Sequence, residues 1–493
     1  MANRNYTIDF SRFAISKEGL LNILAYVYLA ALIIVGIFFG FTLPIFILFL
    51  LIAAFFIIPS TLRGLGIIII LTMLFERFFT LQPLIIDQEI YKIYPLDIII
   101  GLFIISWLLI FFRERTKKPK IFFGWPEILL ILFIFLNFAF LFFSSRDINA
   151  DFGVAFSTFK NYAFYPILYF LTVYSVQKKE DLKKISHLFL WGGVFVIAFI
   201  IIGVIRGNGL WTEFTPLSTV GVRILASTHA YYLVLATILA VALLSYDRFK
   251  NRGYIGAVLW IWVLGILGSL MRHLWLALAV SAIGLFILIK KKNKKFLQNY
   301  IIKNGLIILT VVVILVLLIN LFPYDDIWGG LYTSSRYLQE RASSLSTSAG
   351  DTSINWRVVF WSEAIKSWAS SPILGLGFGK KIPLEFADWK IFEEIRNIHN
   401  SLLAILIQMG IIGFGIFIML ILLILKKSWQ HIYKDKELEP YYIGILVCLG
   451  VILFVSLFQP YLETNLQGIF FWIMLGLLRS SKIINKQDNK KML

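Results

Sequence analysis

Cysteine is almost missing from this chain. Cys448 is the only one among 493 residues and lies inside an apolar run, so neither a disulfide framework nor a cysteine zinc site can form within one chain. Histidine is scarce too, and the five present are scattered without metal-ligand spacing. Charge is the third shortage. Asp, Glu, Lys and Arg make up 15% of the residues, far below what a soluble protein of this length exposes. The opening "MANRNYTIDFSRFAISKEG" lacks a following small-residue cleavage site. It is also too long and too mixed in charge for a secretory signal, and reads as a retained cytoplasmic tail.

Apolar residues fill the gap: 59% of the chain is hydrophobic and 16% aromatic, with a mean hydropathy of +0.84. A helix needs about 20 apolar residues to cross the hydrocarbon core. By that rule the runs at 20–39, 42–58, 64–81, 96–112, 125–143, 160–176, 187–205, 226–245, 254–270, 271–289, 304–322, 399–425, 441–459 and 465–479 are expected spans. The expected fold is therefore an all-α, polytopic integral membrane bundle of about 12–14 transmembrane helices. Runs such as "RERTKKPK", "QKKEDLKK" and "KKKNKK" fall on one side of that topology. The positive-inside rule then puts both termini in the cytoplasm. It also gives the net charge of +18 a topological cause and removes any need for nucleic acid as a partner.

One connection stands apart. Residues 323–398, on the outer side, separate an amino-terminal bundle (1–322) from carboxy-terminal transmembrane helices and tail (399–493). Within it, "NWRVVFWSEAIKSWASSP" repeats Val358, Trp361, Ile365 and Trp368 at helical spacing, the pattern of an amphipathic helix at the membrane interface. Pro372 ends that helix and "GLGFGK" makes the following turn. No strand pattern precedes the glycines and no Lys–Ser/Thr follows them, so a nucleotide loop is not indicated.

Three ionisable residues break the cheap pattern: Arg272 between two apolar spans, Arg357 on the outer helix, and His399 at the mouth of a span. A charge at membrane depth is costly and usually faces a cavity, a partner or a substrate. Each has a plainer explanation. Arg272 could snorkel to the interface, Arg357 could pair with Glu363 or Asp351, His399 could be a satisfied interfacial residue, and Asn400 could merely begin its helix. Arg223 and Lys160 precede other spans, and Glu463 lies in the short loop "QPYLETNLQG", where it could pair with an arginine. The loop tryptophans, Trp361 among them, could stack on sugar rings or anchor the interface.

In order, "NWRVVFWSEAIKSW", "PILGLGFGK" and "IHNSLLAILIQMGIIGF" resemble the signature block of the O-antigen ligase and O-antigen polymerase family. Arg357, Pro372 to Gly379, His399, Asn400, Gly410 and Gly413 fall on its marked positions. "GSLMRHLWLALAVSAIGL" is similar to the family's other marked stretch, with Met271 inserted before Arg272. The resemblance implies an enzyme of the plasma membrane with its active site on the outer, periplasmic face. Such an enzyme moves a glycan from a polyprenyl diphosphate-linked donor to a glycan or glycolipid acceptor hydroxyl, for polysaccharide or lipopolysaccharide synthesis. On that basis His399 is the expected general base, with Arg357 and Arg272 on the diphosphate. Asn400, Arg223, Lys160, Glu463 and Trp361 are weaker substrate contacts, and membrane lipids are the surroundings. Displacement is expected to invert the anomeric centre, with neither metal nor cofactor; no Asp–x–Asp pair stands where a metal-bound diphosphate would need one. The alternatives are an O-antigen or capsular polysaccharide polymerase, which shares these residues, and a transporter or flippase. A transporter would be expected to show paired halves and broken helices, neither of which is evident in the sequence.

Overall fold

The computed structural model describes residues 43–74, 94–113, 123–210, 223–249, 252–300, 352–386 and 389–491, with shorter pieces at 19–28, 84–86 and 89–91 and isolated positions 31, 302, 303, 306, 310 and 314. Most of the expected span at 304–322, half of that at 20–39, and Asp351 lie outside these residues.

The described chain is a helical, multi-pass membrane protein. Six helices are long and apolar enough to cross a bilayer, and six shorter apolar helices accompany them among the described residues. In chain order the elements used below are α1 (Pro95–Arg113), α2 (Trp125–Ser144), α3 (Phe152–Phe159), α4 (Ile167–Ser175), α5 (Lys179–Arg206), α6 (Ser227–Ser245), α7 (Arg252–Gly268), α8 (Arg272–Leu288), α9 (Thr352–Trp368), α10 (Ser401–Ile432), α11 (Glu439–Val455) and α12 (Asn465–Lys491). Hydropathy around each helix decides its place. α6 is apolar on every side, as a helix must be when protein surrounds it, and 89% of its apolar stretch is buried; α1 and α2 keep only 33% buried and form the rim. α8 and α11 pack on α6, and α12 packs on α4, α10 and α11.

Polar contacts gather at two ends of this bundle. At one end Ser144 donates to the Phe378 carbonyl (2.9 Å), while the Asp151 amide bonds Gly379, Ile224 bonds Gly268 and Ser401 bonds Ser456. At the other, the buried Arg479 and Glu127 pair at 2.7 Å, Tyr169 also donating to Glu127. Lys179 and Asp435 pair there as well. Residues 372–400 belong to the first end.

One expectation needs correction. The run at 160–176 is not one helix: a π turn at Lys160–Phe164 separates α3 from α4. After α9 the chain folds into an antiparallel hairpin, β1 (Lys381–Phe386) and β2 (Trp389–Glu394), with Lys381 opposite Glu394 and Leu384 opposite Ile391. Its period-2 pattern buries Ile382 and Leu384 between the exposed Lys381, Pro383 and Glu385, as a strand with one covered face requires. With Phe360 and Ala364 of α9, Ile398, and Ile407 of α10, they form a small second core. The other face of α9 stays open, with Val358 57% and Ile365 47% exposed.

α10 spans 32 residues, and Gly410 inside it has non-helical angles (φ 63, ψ −168). Thus a broken helix is present after all. As one rod, α10 would be about 48 Å long, well beyond the ~30 Å hydrocarbon core. The break leaves 411–432 to span (~33 Å) and turns 401–409 into a separate segment. A break exposes carbonyls and amides that must find partners, and here the Pro372–Gly377 turn supplies them. The Leu376 and Gly377 amides donate to Ile407 and Gln408, at 2.8 and 3.0 Å, and the Ile411 and Ile412 amides donate to Pro372 and Ile373, at 3.0 and 3.3 Å. The "GLGFG" stretch therefore completes a broken helix.

Candidate active site

Three helix starts meet at the first end of the bundle. The 223–226 approach to α6 lies against the end of α7, through the Ile224–Gly268 bond. α7 turns into α8 through Leu270, a non-glycine residue at φ 56, placing Arg272 and His273 in the first turn of α8. A cation there opposes the helix dipole, so helix stability does not account for Arg272. His399 repeats the backbone signature at φ 55, just before Asn400 caps α10 by accepting from the Leu403 amide (3.0 Å). Left-handed backbone costs a side-chain-bearing residue about 1–2 kcal/mol, and it persists where surrounding contacts over-determine it, often at functional sites.

Those contacts can be named for His399. Its Nδ1 is 2.9 Å from Gln459 Oε1. That oxygen can only accept, so Nδ1 carries the proton and Nε2 presents a lone pair. Trp356 meets the ring edge-on at 5.5 Å. The Trp361 indole donates to the Ile398 carbonyl (2.7 Å), fixing α9 to the backbone beside His399. Glu363, meanwhile, pairs with Lys366.

The loop between α11 and α12 organises the centre. Gln459 holds His399. Two residues on, the Tyr461 hydroxyl lies 2.7 Å from His273 Nε2. Two further, the buried Glu463 accepts from the hydroxyls of Tyr162 and Ser401, and its carbonyl takes the Asn161 amide (2.6 Å). Burial pushes the Glu463 carboxyl up to about 7, with Ser401 and Tyr162 holding it lower than burial alone would. His273 is the common neighbour: Arg357, Arg223, His399 and Arg272 all act on it electrostatically. Charges from separate regions of the chain thus lie within electrostatic range of one imidazole.

The structure does not bring every expected residue to that point. Lys160 opens the π turn and is buried against Asp97 (2.8 Å), with Tyr165 on the other carboxylate oxygen (2.9 Å) and the Tyr94 ring 4.0 Å below its ammonium. Its charge is answered within the wall, although Asn161 and Tyr162 of the same turn do reach Glu463. Asn400 is occupied as a cap, Trp361 as a brace and Glu463 by hydroxyls. His273, Gln459, Tyr461 and Ser401 were not singled out from sequence. Only the alternation Gln459–Tyr461–Glu463 between two apolar spans signalled that one face of this loop is used. Among the described residues no group of three His, Cys, Asp or Glu is placed to hold a metal.

Burial lowers the His399 pKa, and the Arg357 charge lowers it further; the Gln459 bond and Glu393 pull the other way. If neutral His399 is the active form, kcat/KM falls on the acid side with a midpoint below the ordinary histidine value of about 6.5. Arg357→Gln removes a charge that disfavours imidazolium, so the residual activity should show this limb at higher pH. A limb that stays put in a pH–rate profile would separate Arg357 from His399.

Residues 257–418 match the family described as O-Antigen ligase. That segment is similar to O-antigen ligases. Its limits enclose Arg272, His273, Arg357, the Pro372–Gly379 turn, His399, Asn400 and the break at Gly410. Arg223 precedes the matched segment, and Gln459, Tyr461 and Glu463 follow it. No curated protein matches the chain. Joined to the apolar helices, this match supports a multi-pass membrane protein that handles glycans, and the family implies a lipid-linked glycan donor and a glycan acceptor.

Proposed function

We propose that this protein transfers a glycan from a polyprenyl diphosphate carrier to an acceptor hydroxyl at the outer face of the plasma membrane. The observation that carries the reading is that His399 and His273 are both held by one loop, through Gln459 and Tyr461, within electrostatic range of Arg357, Arg223 and Arg272, in and beside the segment that matches the O-antigen ligase family. The bias of basic runs toward the opposite end of the bundle supports the outward orientation and cytoplasmic termini.

In this mechanism the arginines hold the diphosphate, whose charge grows as the bond to the anomeric carbon breaks. Guanidinium forks match phosphate oxygens, and fixed positive charge placed where negative charge develops is a large source of rate. They supply here the charge a divalent cation would supply. The acceptor oxygen attacks the anomeric carbon from the face opposite the leaving group, and its proton passes to His399 Nε2. The new C–O bond forms, the electron pair of the old one leaves with the polyprenyl diphosphate, and the configuration inverts.

The test is purified protein in liposomes containing a polyprenyl diphosphate-linked glycan and a defined acceptor. Released polyprenyl diphosphate should match glycosylated acceptor one for one, with the anomeric configuration reversed. Failure to form product with any lipid-linked donor, or retention of configuration, would refute the proposal.

A further inference from the structure

At the end of the bundle opposite His399, two cavities adjoin. One, of about 520 Å³, is an apolar slot between α6, α7 and α8, lined by Val241, Leu244, Val263, Leu278, Leu285 and Leu297 among others. The second, of about 640 Å³, is polar and includes Arg248, Lys290, Lys292 and Lys436 with Asp247 and Glu439. They meet through chain neighbours: Leu244 lines the slot and Ser245 the polar cavity, as do Leu297 and Phe296. Four cations face two carboxylates, leaving positive charge in excess. Glu439 already serves Lys290 (2.6 Å) and the Tyr246 hydroxyl (2.7 Å), while Arg248 braces the Lys436 carbonyl (2.9 Å).

We propose that this pair of cavities is a binding site for one anionic glycerophospholipid, its phosphate among Arg248, Lys292 and Lys436 and an acyl chain in the slot. Charge complementarity and position select that occupant. Basic pockets between helices at the cytoplasmic side suit anionic headgroups, and the apolar slot continues directly from the basic one toward the membrane interior. The glycan donor does not fit both halves, since its diphosphate is assigned to the arginines at the far end of α8. In the orientation proposed above, the occupant belongs to the inner leaflet. The site rests on that reading only for its leaflet.

Native mass spectrometry of the full chain, titrated with dioleoyl phosphatidylglycerol or dioleoyl phosphatidylcholine, tests this without any turnover. The wild type should retain phosphatidylglycerol at least ~10-fold more than phosphatidylcholine, a difference of about 1.4 kcal/mol. R248Q/K292Q should reduce that preference to near unity. A control, K178Q/K184Q, removes equal charge at the same end outside the cavities and should leave it intact. Ala282→Trp, which fills the slot, should weaken retention of the lipid. Equal retention of both lipids by wild type would overturn the site. So would an unaltered R248Q/K292Q variant, or equal loss in the control, which would indicate surface adsorption. Thermal unfolding of each variant in detergent confirms that it is folded.

Discussion

Replacing His399 by alanine is expected to lower glycan transfer at least ~100-fold, the lower end of what a positioned general base contributes. The loss should fall on kcat, with the KM for the lipid-linked donor little changed, because the arginines that would hold the diphosphate are left in place. Alanine at φ 55 could also disturb the backbone. His399→Asn avoids this confusion, since asparagine tolerates left-handed geometry better than most residues yet cannot act as a base near neutral pH. Both variants should therefore be inactive, and the asparagine variant should unfold at the wild-type temperature. Gln459→Leu should cost less, since the ring loses its tautomer-fixing partner but keeps Nε2. Turnover within twofold of wild type in His399→Asn would rule out a base role for this imidazole.

The second large effect concerns Gly410. A Cβ built there would lie 2.2 Å from the Ile373 carbonyl oxygen and 2.6 Å from the Gly375 nitrogen. Both are backbone atoms already hydrogen-bonded: the Ile373 carbonyl accepts from Ile412 across the break, and the Gly375 amide donates to Ser371 within the turn. Gly410→Ala must therefore either separate the turn from α10 or straighten the break, exposing several hydrogen bonds at once. We expect a loss of roughly 3 kcal/mol or more, the range of severe backbone and unsatisfied-group effects. Activity should fall with stability. Gly377→Ala makes the informative contrast. Its φ is also positive, but its added Cβ meets only Ser144 Oγ at 3.9 Å, so the cost should stay near the ~1–2 kcal/mol of left-handed backbone alone. Thermal unfolding in detergent compares the two. Equal shifts would mean that the turn does not brace the break.

Legibility in the sequence followed locality. The apolar runs show the spans because each needs only its own residues to be recognised. Arg272, Arg357 and His399 were visible because a cation or imidazole among apolar residues is conspicuous, and because their order and spacing resemble a known block. The break at Gly410 was hidden: apolar periodicity continues through "LIQMGIIGF", and only the distant turn reveals where the helix gives way. The 381–394 hairpin was obscured by the exposed Lys381, Pro383 and Glu385, which occupy alternate positions on a strand of six residues. Lys160 shows the limit most plainly. Its ion-pair partner in the structure, Asp97, lies 63 positions upstream. Gln459, Tyr461 and Glu463 likewise find His399, His273 and Tyr162 far along the chain.

The crossing bonds between 372–377 and α10 also impose a schedule on biosynthesis. The glycine turn leaves the ribosome before the helix that satisfies it, and must wait until 407–412 has been delivered to the bilayer. Gln459, Tyr461 and Glu463 come later still. The candidate site can therefore close only as the last helices insert, and a chain terminated early would hold its imidazole without Gln459 to orient it. Quality control during translation thus has a long interval in which the outer segment is made but unfinished.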